Sequence, residues 1–196
     1  LIGPKRYDAP WKDIEAQGYI APADCVEVRV TLPERERIVY ATAEPDVRYR
    51  LAATTPMKER VVQALVERHV DDHVLVIGQY LDQLADLGER LGAPVITGET
   101  PVKERERLFD AFREGSVPCL VVSKVANFSV DLPEAGVAIQ ISGSFGSRQE
   151  EAQRLGRVLR PKADTRWVGF KEVRYEPGHF VEYEDLLNYL LFLDKL

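Results

Sequence analysis

Two arginines and two glutamines recur at helical spacing in and beside the segment "EEAQRLGRVLRPK", residues 150–162. At 100° per residue, a helix places Gln149, Gln153, Arg157 and Arg160 in one quadrant and the apolar residues of the segment on the opposite side. Each guanidinium is planar and permanently charged, which suits the charge of a γ-phosphoryl group in its transition state. The residue types therefore point to a phosphate site, although a solvated basic face is the more common result of this spacing alone.

Gly156 lies beside this polar quadrant of the predicted helix. A glycine inside a helix costs about 1 kcal/mol relative to alanine, so its presence suggests that something approaches the backbone closely. A phosphate group is the natural candidate, and we predict a contact between Gly156 and a nucleotide.

Polar residues also follow two predicted strands. Ser123 and Lys124 come at the end of the run "PCLVVS", where ligand sites gather in open α/β sheets. Thr97, Gly98 and Thr100 join the run "PVITG" to a helix, and the free N–H groups and dipole of such a junction favour a phosphate. The alternative is an ordinary helix start, with Thr100 as its N-cap.

The elements that must position these residues alternate along the chain. Short apolar runs of strand length are separated by segments with a helical period, which Gly92 and Gly115 close. The runs are Val74–Gly78, Pro94–Gly98, Pro118–Ser123 and Val137–Ser142. This alternation predicts an α/β domain with a mainly parallel sheet covered by helices on both faces.

The upstream third of the chain belongs to the same predicted domain. Pro56 opens a helix with an apolar face, and Val26, Val28 and Val30 alternate with charged residues, the period of a half-exposed strand. Residues 32–55 are charged and only loosely periodic, and we predict one helix with a connecting segment there.

Length and composition limit the possible functions. The chain has 196 residues, 45% of them apolar, and a formal net charge of −6, so a protein that coats nucleic acid through bulk charge is excluded and any such contact is local. Cys25 and Cys119 lie among apolar residues, which favours buried thiols and a reducing, cytoplasmic compartment. There is no membrane-length apolar run, and a start at "LIGPKRYDAP" without Met suggests a piece of a longer chain.

The segment "VVSKVANFSVDLPEAGVAIQISGSFGSRQEEAQRLGRVLRPK" resembles motifs V and VI of superfamily two helicases, specifically those of the XPB family. The likeness continues upstream through "LIGPKRYDAPWKDIEAQGYIA", "VLVIGQYLDQL" and "ITGETPVKERERLFDAFREG". It covers about residues 1–164 and is closest to the bacterial branch. The resemblance implies two RecA-like lobes that bind ATP between them and move along DNA in the 3′→5′ direction, with this chain as the C-terminal lobe.

The same resemblance implies roles for individual residues. Arg157 and Arg160 reach the γ-phosphate, Arg160 as the arginine finger, and Gln153 orients the phosphates or the attacking water. Asp131 lies near the ribose, although "VANFSVDLP" lacks the glycine that many members carry before this aspartate and a simple turn is an equal alternative. The residues implied to contact DNA are Thr97, Gly98, Thr100, Ser123, Lys124, Asn127 and Ser129.

Half of such a motor is missing from the sequence. None of the 13 glycines precedes a lysine, so there is no P-loop, and there is no Asp-Glu pair to hold magnesium. ATP is therefore expected with Mg²⁺ bound through the absent first lobe, no metal is expected on this chain, and the isolated lobe is expected to be inactive. The expected partners are DNA, the N-terminal RecA-like lobe and a repair protein, with no membrane.

We predict two parts, a helicase lobe over residues 1–164 and a C-terminal extension over residues 165–196 that contains a strand-like stretch, "WVGFKEVRY". The function this predicts is the C-terminal motor lobe of an XPB-type DNA helicase or translocase in nucleotide excision repair. The alternative is a non-catalytic protein-interaction module that keeps a helicase-like fold.

Overall fold

The structure is a computed structural model that describes residues 17, 24–123, 135–142 and 166–169. This part of the chain contains five helices and six strands. In chain order they are β1 (Asp24–Glu27), α1 (Glu34–Thr42), α2 (Pro45–Ala53), α3 (Pro56–Arg68), β2 (Val74–Gly78), α4 (Leu81–Leu91), β3 (Val95–Ile96), α5 (Val102–Arg113), β4 (Cys119–Ser123), β5 (Val137–Gln140) and β6 (Arg166–Gly169).

The six strands form one sheet in the order β1-β6-β5-β2-β4-β3, and every neighbouring pair is parallel. Gly78 at the end of β2 is in register with Ser123 at the end of β4, and Ile77 is in register with Gln140 at the end of β5. The carboxyl ends of these three strands therefore meet at one edge of the sheet. The predicted parallel α/β fold is confirmed.

Successive residues of the central strands point to opposite faces of the sheet, and each face is covered by helices. Val74 and Val76 of β2 join one core cluster with residues of α3 and α4, whereas Leu75 and Ile77 join a second cluster with residues of α5. Both faces of β2, β4 and β5 are buried, which explains why these strands appear in the sequence as unbroken apolar runs.

Glycines allow the helices to end and to pack closely. Gly92 follows α4 with φ of 60° and Gly115 follows α5 with φ of 80°, left-handed conformations that glycine adopts without steric cost. Inside α4, Gly88 faces β3, and a β-carbon there would overlap the side chain of Val95. The helix ends predicted at Gly92 and Gly115 are confirmed.

The structure differs from the sequence predictions in the upstream third. Residues 32–55 form two helices, α1 and α2, because Pro45 lacks the N–H that a continuing helix needs and instead opens α2. The predicted strand over Val26–Val30 is shorter, since β1 pairs with the four residues of β6 and ends at Glu27. Val28 is nevertheless buried and Arg29 exposed, as the alternation predicted.

Strand β6 includes the first three residues, Trp167–Gly169, of the strand expected in "WVGFKEVRY" and lies between β1 and β5. The sheet thus includes residues beyond position 164. The division into a lobe and a C-terminal extension stays a prediction, because most of residues 165–196 lie outside the described part of the chain.

Candidate functional site

The carboxyl edge of the sheet carries buried polar groups. Ser123 ends β4 and is 3% exposed, and Ser142, two residues after β5, is 2% exposed. The hydroxyl of Ser142 accepts a hydrogen bond from the backbone N–H of Gln79 at 2.8 Å, which ties the exit of β5 to the exit of β2. Ligands of open α/β sheets bind at this edge, where Ser123 lies, and its predicted contact with DNA stays a prediction.

The loop between β3 and α5, residues 97–100, closes on itself through its two threonines. The hydroxyl of Thr100 accepts from the backbone N–H of Thr97 at 2.9 Å, and the hydroxyl of Thr97 accepts from the N–H of Glu99 at 3.2 Å. Gly98 and Glu99 are exposed at the tip, while Thr97 and Thr100 are half-buried. The structure therefore brings Thr97, Gly98 and Thr100 together in one compact turn.

Arg105 braces this turn from the first part of α5. Its Nη2 atom lies 3.4 Å from the carbonyl oxygen of Thr97 and 3.2 Å from that of Thr100. The guanidinium thus bonds to the carbonyl groups of the turn, while the N–H groups of Thr97, Glu99 and Thr100 are used inside the turn itself. Arg105 could not be found from the sequence, since a charged residue in a charged helix gives no distinguishing signal.

The start of α5 corrects the predicted capping. The helix begins at Val102, Pro101 occupies the N-cap position with ψ of 143°, and no side chain caps the first turn. Thr100 is therefore not the N-cap, because its hydroxyl is already bonded to the N–H of Thr97. The first N–H groups of α5 remain without a side-chain acceptor, as an anion-binding helix start requires.

A buried lysine was also missed. Lys58, in the first turn of α3, is 5% exposed, and its Nζ atom donates to the carbonyl oxygen of Ile141 at 3.2 Å. The next residue, Glu59, is 8% exposed, and burial raises the pKa of its carboxyl although Arg90, 3.6 Å away, opposes the shift. In the sequence both residues belong to a polar stretch, "MKER", typical of an exposed helix start.

Gln140 is a further buried polar residue at this edge. It is 5% exposed, and its side-chain oxygen has no hydrogen-bond partner in the described part of the chain. A signal for it existed, since a glutamine interrupts the apolar run "VAIQIS".

All residues of the predicted nucleotide site lie outside the described residues. This holds for Gln153, Gly156, Arg157, Arg160 and Asp131, and equally for the DNA-binding candidates Lys124, Asn127 and Ser129. Their assignments stay predictions.

Cys119, His69 and His73 do not form a second site. Burial raises the pKa of the Cys119 thiol to about 11, so the thiol stays protonated and is not a nucleophile. His69 pairs with Asp72 at 2.8 Å, and His73 packs on Phe112 with ring centroids 5.4 Å apart. Within the described ranges no cluster of His, Cys, Asp or Glu could hold a metal ion, and no helix there has the length and apolarity to cross a membrane.

The parallel sheet, its helical cover and its polar carboxyl edge form an α/β lobe, and its structural neighbours are RecA-like C-terminal domains of helicases. A solved structure of the same fold is the C-terminal domain of the DEAD-box protein Dbp5, with a TM-score of 0.54. The match covers 70% of this chain and 77% of that one at 18% identity, and it concerns the fold alone.

The chain belongs to the ERCC3/RAD25/XPB C-terminal helicase family, whose model matches residues 14–176. The DNA 3′-5′ helicase XPB of Kineococcus radiotolerans is 76% identical over 164 residues, and that of Mycobacterium tuberculosis is 70% identical over 164 residues. Each match covers 84% of this chain but only 29% and 30% of the respective relative. The family resemblance of the sequence motifs is confirmed.

A more distant relative extends the match toward the C-terminus. The general transcription and DNA repair factor IIH helicase/translocase subunit XPB of Antonospora locustae is 39% identical over 191 residues. That match covers 96% of this chain and 26% of the relative. The matched part of the chain therefore spans between a quarter and a third of the length of these three relatives.

Proposed function

We propose that this chain is the C-terminal motor lobe of an ATP-dependent 3′→5′ DNA helicase or translocase of the XPB type, acting in the cytoplasm in nucleotide excision repair. The observation that carries the proposal is the family match over residues 14–176. The fold agrees with it, because a parallel sheet with a polar carboxyl edge is the framework on which such a lobe displays its motifs.

The lobe completes a nucleotide site on another lobe. Arg160 and Arg157 contact the γ-phosphate of ATP, Gln153 orients the phosphates or the attacking water, and Gly156 and Asp131 line the nucleotide. A positioned arginine neutralises the charge that spreads over the transferred phosphoryl group. Magnesium is held by the first lobe.

The lobe also supplies half of the DNA track. The turn of Thr97, Gly98 and Thr100 presents the uncapped start of α5 at the carboxyl edge, and Ser123 ends the adjacent strand β4. Together with Lys124, Asn127 and Ser129, these groups bind DNA through its phosphates, a contact that positions the strand without reading sequence. The net charge of −6 agrees with contacts that are local.

The proposal predicts directional unwinding by the full-length protein that contains this chain. ATP hydrolysis should rise with DNA, and a duplex with a 3′ single-stranded tail should be unwound faster than one with a 5′ tail. The rate of strand separation is measured by fluorescence on the two tailed duplexes at the same ATP concentration. Equal rates on both duplexes, or hydrolysis indifferent to DNA, would exclude the proposed motor.

The DNA track predicts a specific effect of Thr100→Val in the full-length protein. The substitution keeps the shape but removes the acceptor for the Thr97 N–H, so the turn opens and the affinity for single-stranded DNA should fall about fivefold, as expected for a lost hydrogen bond of about 1 kcal/mol. Fluorescence anisotropy with a labelled oligonucleotide at fixed salt measures the Kd.

The matched control for this prediction is Thr42→Val. The Thr42 hydroxyl, at the end of α1, also bonds to backbone, with contacts of 3.2 Å to the carbonyls of Ile38 and Val39. Its loss should leave the DNA Kd unchanged. An equal loss of DNA affinity in Thr100→Val and Thr42→Val would mean that Thr100 affects DNA binding only through the stability of the fold.

A further inference from the structure

Arg105 occupies a place in α5 that helix stability alone does not favour. It is the fourth residue of the helix, close to the end where the helix dipole disfavours a positive charge. The side chain is half-buried, and its Nε atom is buried without a hydrogen-bond partner in the part of the chain that the structure describes. Both features oppose an arginine here, so contacts outside the helix must hold the guanidinium in place.

These contacts are made with the turn of residues 97–100. The Nη2 atom of Arg105 donates to the carbonyl oxygen of Thr97 at 3.4 Å and to that of Thr100 at 3.2 Å. Thr97 and Thr100 are the first and last residues of the turn, so one nitrogen atom joins its two ends. Because the donor is charged, such bonds are stronger than those between neutral groups.

The internal hydrogen bonds of the turn do not attach it to another element. The N–H of Thr97 donates to the hydroxyl of Thr100, the N–H of Glu99 donates to the hydroxyl of Thr97, and the N–H of Thr100 donates to the carbonyl of Thr97. All three bonds lie within four residues. The two bonds from Arg105 differ from them because they attach the turn to the side of α5.

The location of the turn matters because it lies beside another residue that is proposed to contact DNA. Ile96 of β3 is in register with Val122 of β4. The residues that follow them are Thr97 and Ser123, which therefore leave neighbouring parallel strands at the same edge of the sheet. A single DNA strand can contact both positions only if the turn keeps its place relative to the end of β4.

We propose that Arg105 is a positioning residue of the DNA track. Its guanidinium holds Thr97, Gly98 and Thr100 in the arrangement that binds a phosphate of the DNA backbone, and it acts on DNA through this turn and not by direct contact. This inference rests on the proposed function of the turn.

The test is Arg105→Met in the full-length protein. Methionine keeps an unbranched apolar stem but removes the guanidinium, so the Kd for a labelled single-stranded oligonucleotide should rise about tenfold, the scale of one lost hydrogen bond to a charged group. In DNA-stimulated ATP hydrolysis, the KM for DNA should rise in the same proportion, with kcat at saturating DNA within about twofold of wild type. A general loss of folded protein would instead lower kcat. A wild-type Kd would overturn the proposal.

Arg107→Met is the matched control. It removes the same charge from the same helix two residues further on, where Arg107 is 65% exposed and pairs with Glu104 at 2.6 Å. The long-range attraction of the lobe for DNA falls equally in both variants, whereas the turn keeps its contacts in Arg107→Met. The Kd of this variant should stay within about twofold of wild type. An equal rise in both variants would assign the effect to net charge and overturn the role of Arg105.

The salt dependence of binding separates positioning from direct contact. The slope of log K against log salt concentration decreases by about 0.7 for each cation removed from a phosphate of single-stranded DNA. The groups that Arg105 holds are neutral, so Arg105→Met should leave this slope unchanged. A slope that is smaller by about 0.7 would show that Arg105 itself binds a phosphate, which would overturn the positioning role.

The measurements also distinguish the two proposals. Wild-type Kd values in both Thr100→Val and Arg105→Met would remove the turn from the DNA track and, with it, the role of Arg105. A raised Kd in Thr100→Val with a wild-type Kd in Arg105→Met would refute the positioning role alone. If Arg105→Met does not fold, Arg105→Gln is measured in its place with the same expected result, because the shorter amide cannot reach both carbonyls.

Discussion

Replacement of Arg160 by alanine in the full-length protein is expected to lower the kcat of DNA-stimulated ATP hydrolysis by about 10³-fold or more. A positioned arginine contributes on this scale because it meets the phosphoryl charge only in the transition state. The KM for ATP should change little, and DNA affinity should be retained because the track residues are untouched. Steady-state hydrolysis at saturating DNA measures the effect.

Arg113→Ala provides the control for a lost guanidinium. Arg113 lies near the end of α5, away from the carboxyl edge, and pairs with Asp110 at 2.7 Å on the surface. A pair of this kind contributes about 0–1 kcal/mol to stability, so hydrolysis should be unaffected. Similar kcat values for Arg160→Ala and Arg113→Ala would contradict the placement of Arg160 in the ATP site.

Replacement of Phe112 by alanine is expected to lower the free energy of unfolding of this chain by about 3–5 kcal/mol, the usual cost of removing a buried aromatic side chain. Phe112 is fully buried in the core between α5 and the sheet, beside the ring of His73. Urea unfolding followed by tryptophan fluorescence measures the change.

Val102→Ala is the comparison for this loss. Val102 begins the same helix but is 66% exposed, so its truncation should change the free energy of unfolding by less than about 0.5 kcal/mol. Equal effects of the two substitutions would contradict the core described between α5 and β2, β4 and β5.

The sheet could be predicted because its strands are buried on both faces. Runs such as "VLVIG" and "PCLVVS" have few other interpretations when helical periods and closing glycines separate them. The two helices of residues 32–55 were harder to predict, because Ile38, Val39 and Val47 are 66%, 52% and 49% exposed and no apolar face marks either helix. In the sequence, only Pro45 indicates that residues 32–55 form two helices and not one.

The site was predictable to the extent that local chemistry defines it. Thr97, Gly98 and Thr100 follow a strand and precede a helix, and the sequence shows that order directly. Lys58 could not be found this way, because its contact with Ile141 depends on how α3 packs beside β5. Long-range contacts between a side chain and a backbone carbonyl leave no periodic signal in a sequence.

The central claim is that this lobe supplies arginine to ATP held by another lobe. The most direct measurement is DNA-stimulated ATP hydrolysis by this chain mixed with the separately expressed upstream lobe of its parent protein, with wild type and Arg160→Ala compared. We predict hydrolysis that appears only on mixing and is lost with Arg160→Ala. Hydrolysis by the upstream lobe alone at the rate of the mixture, or an unchanged rate with Arg160→Ala, would contradict the claim.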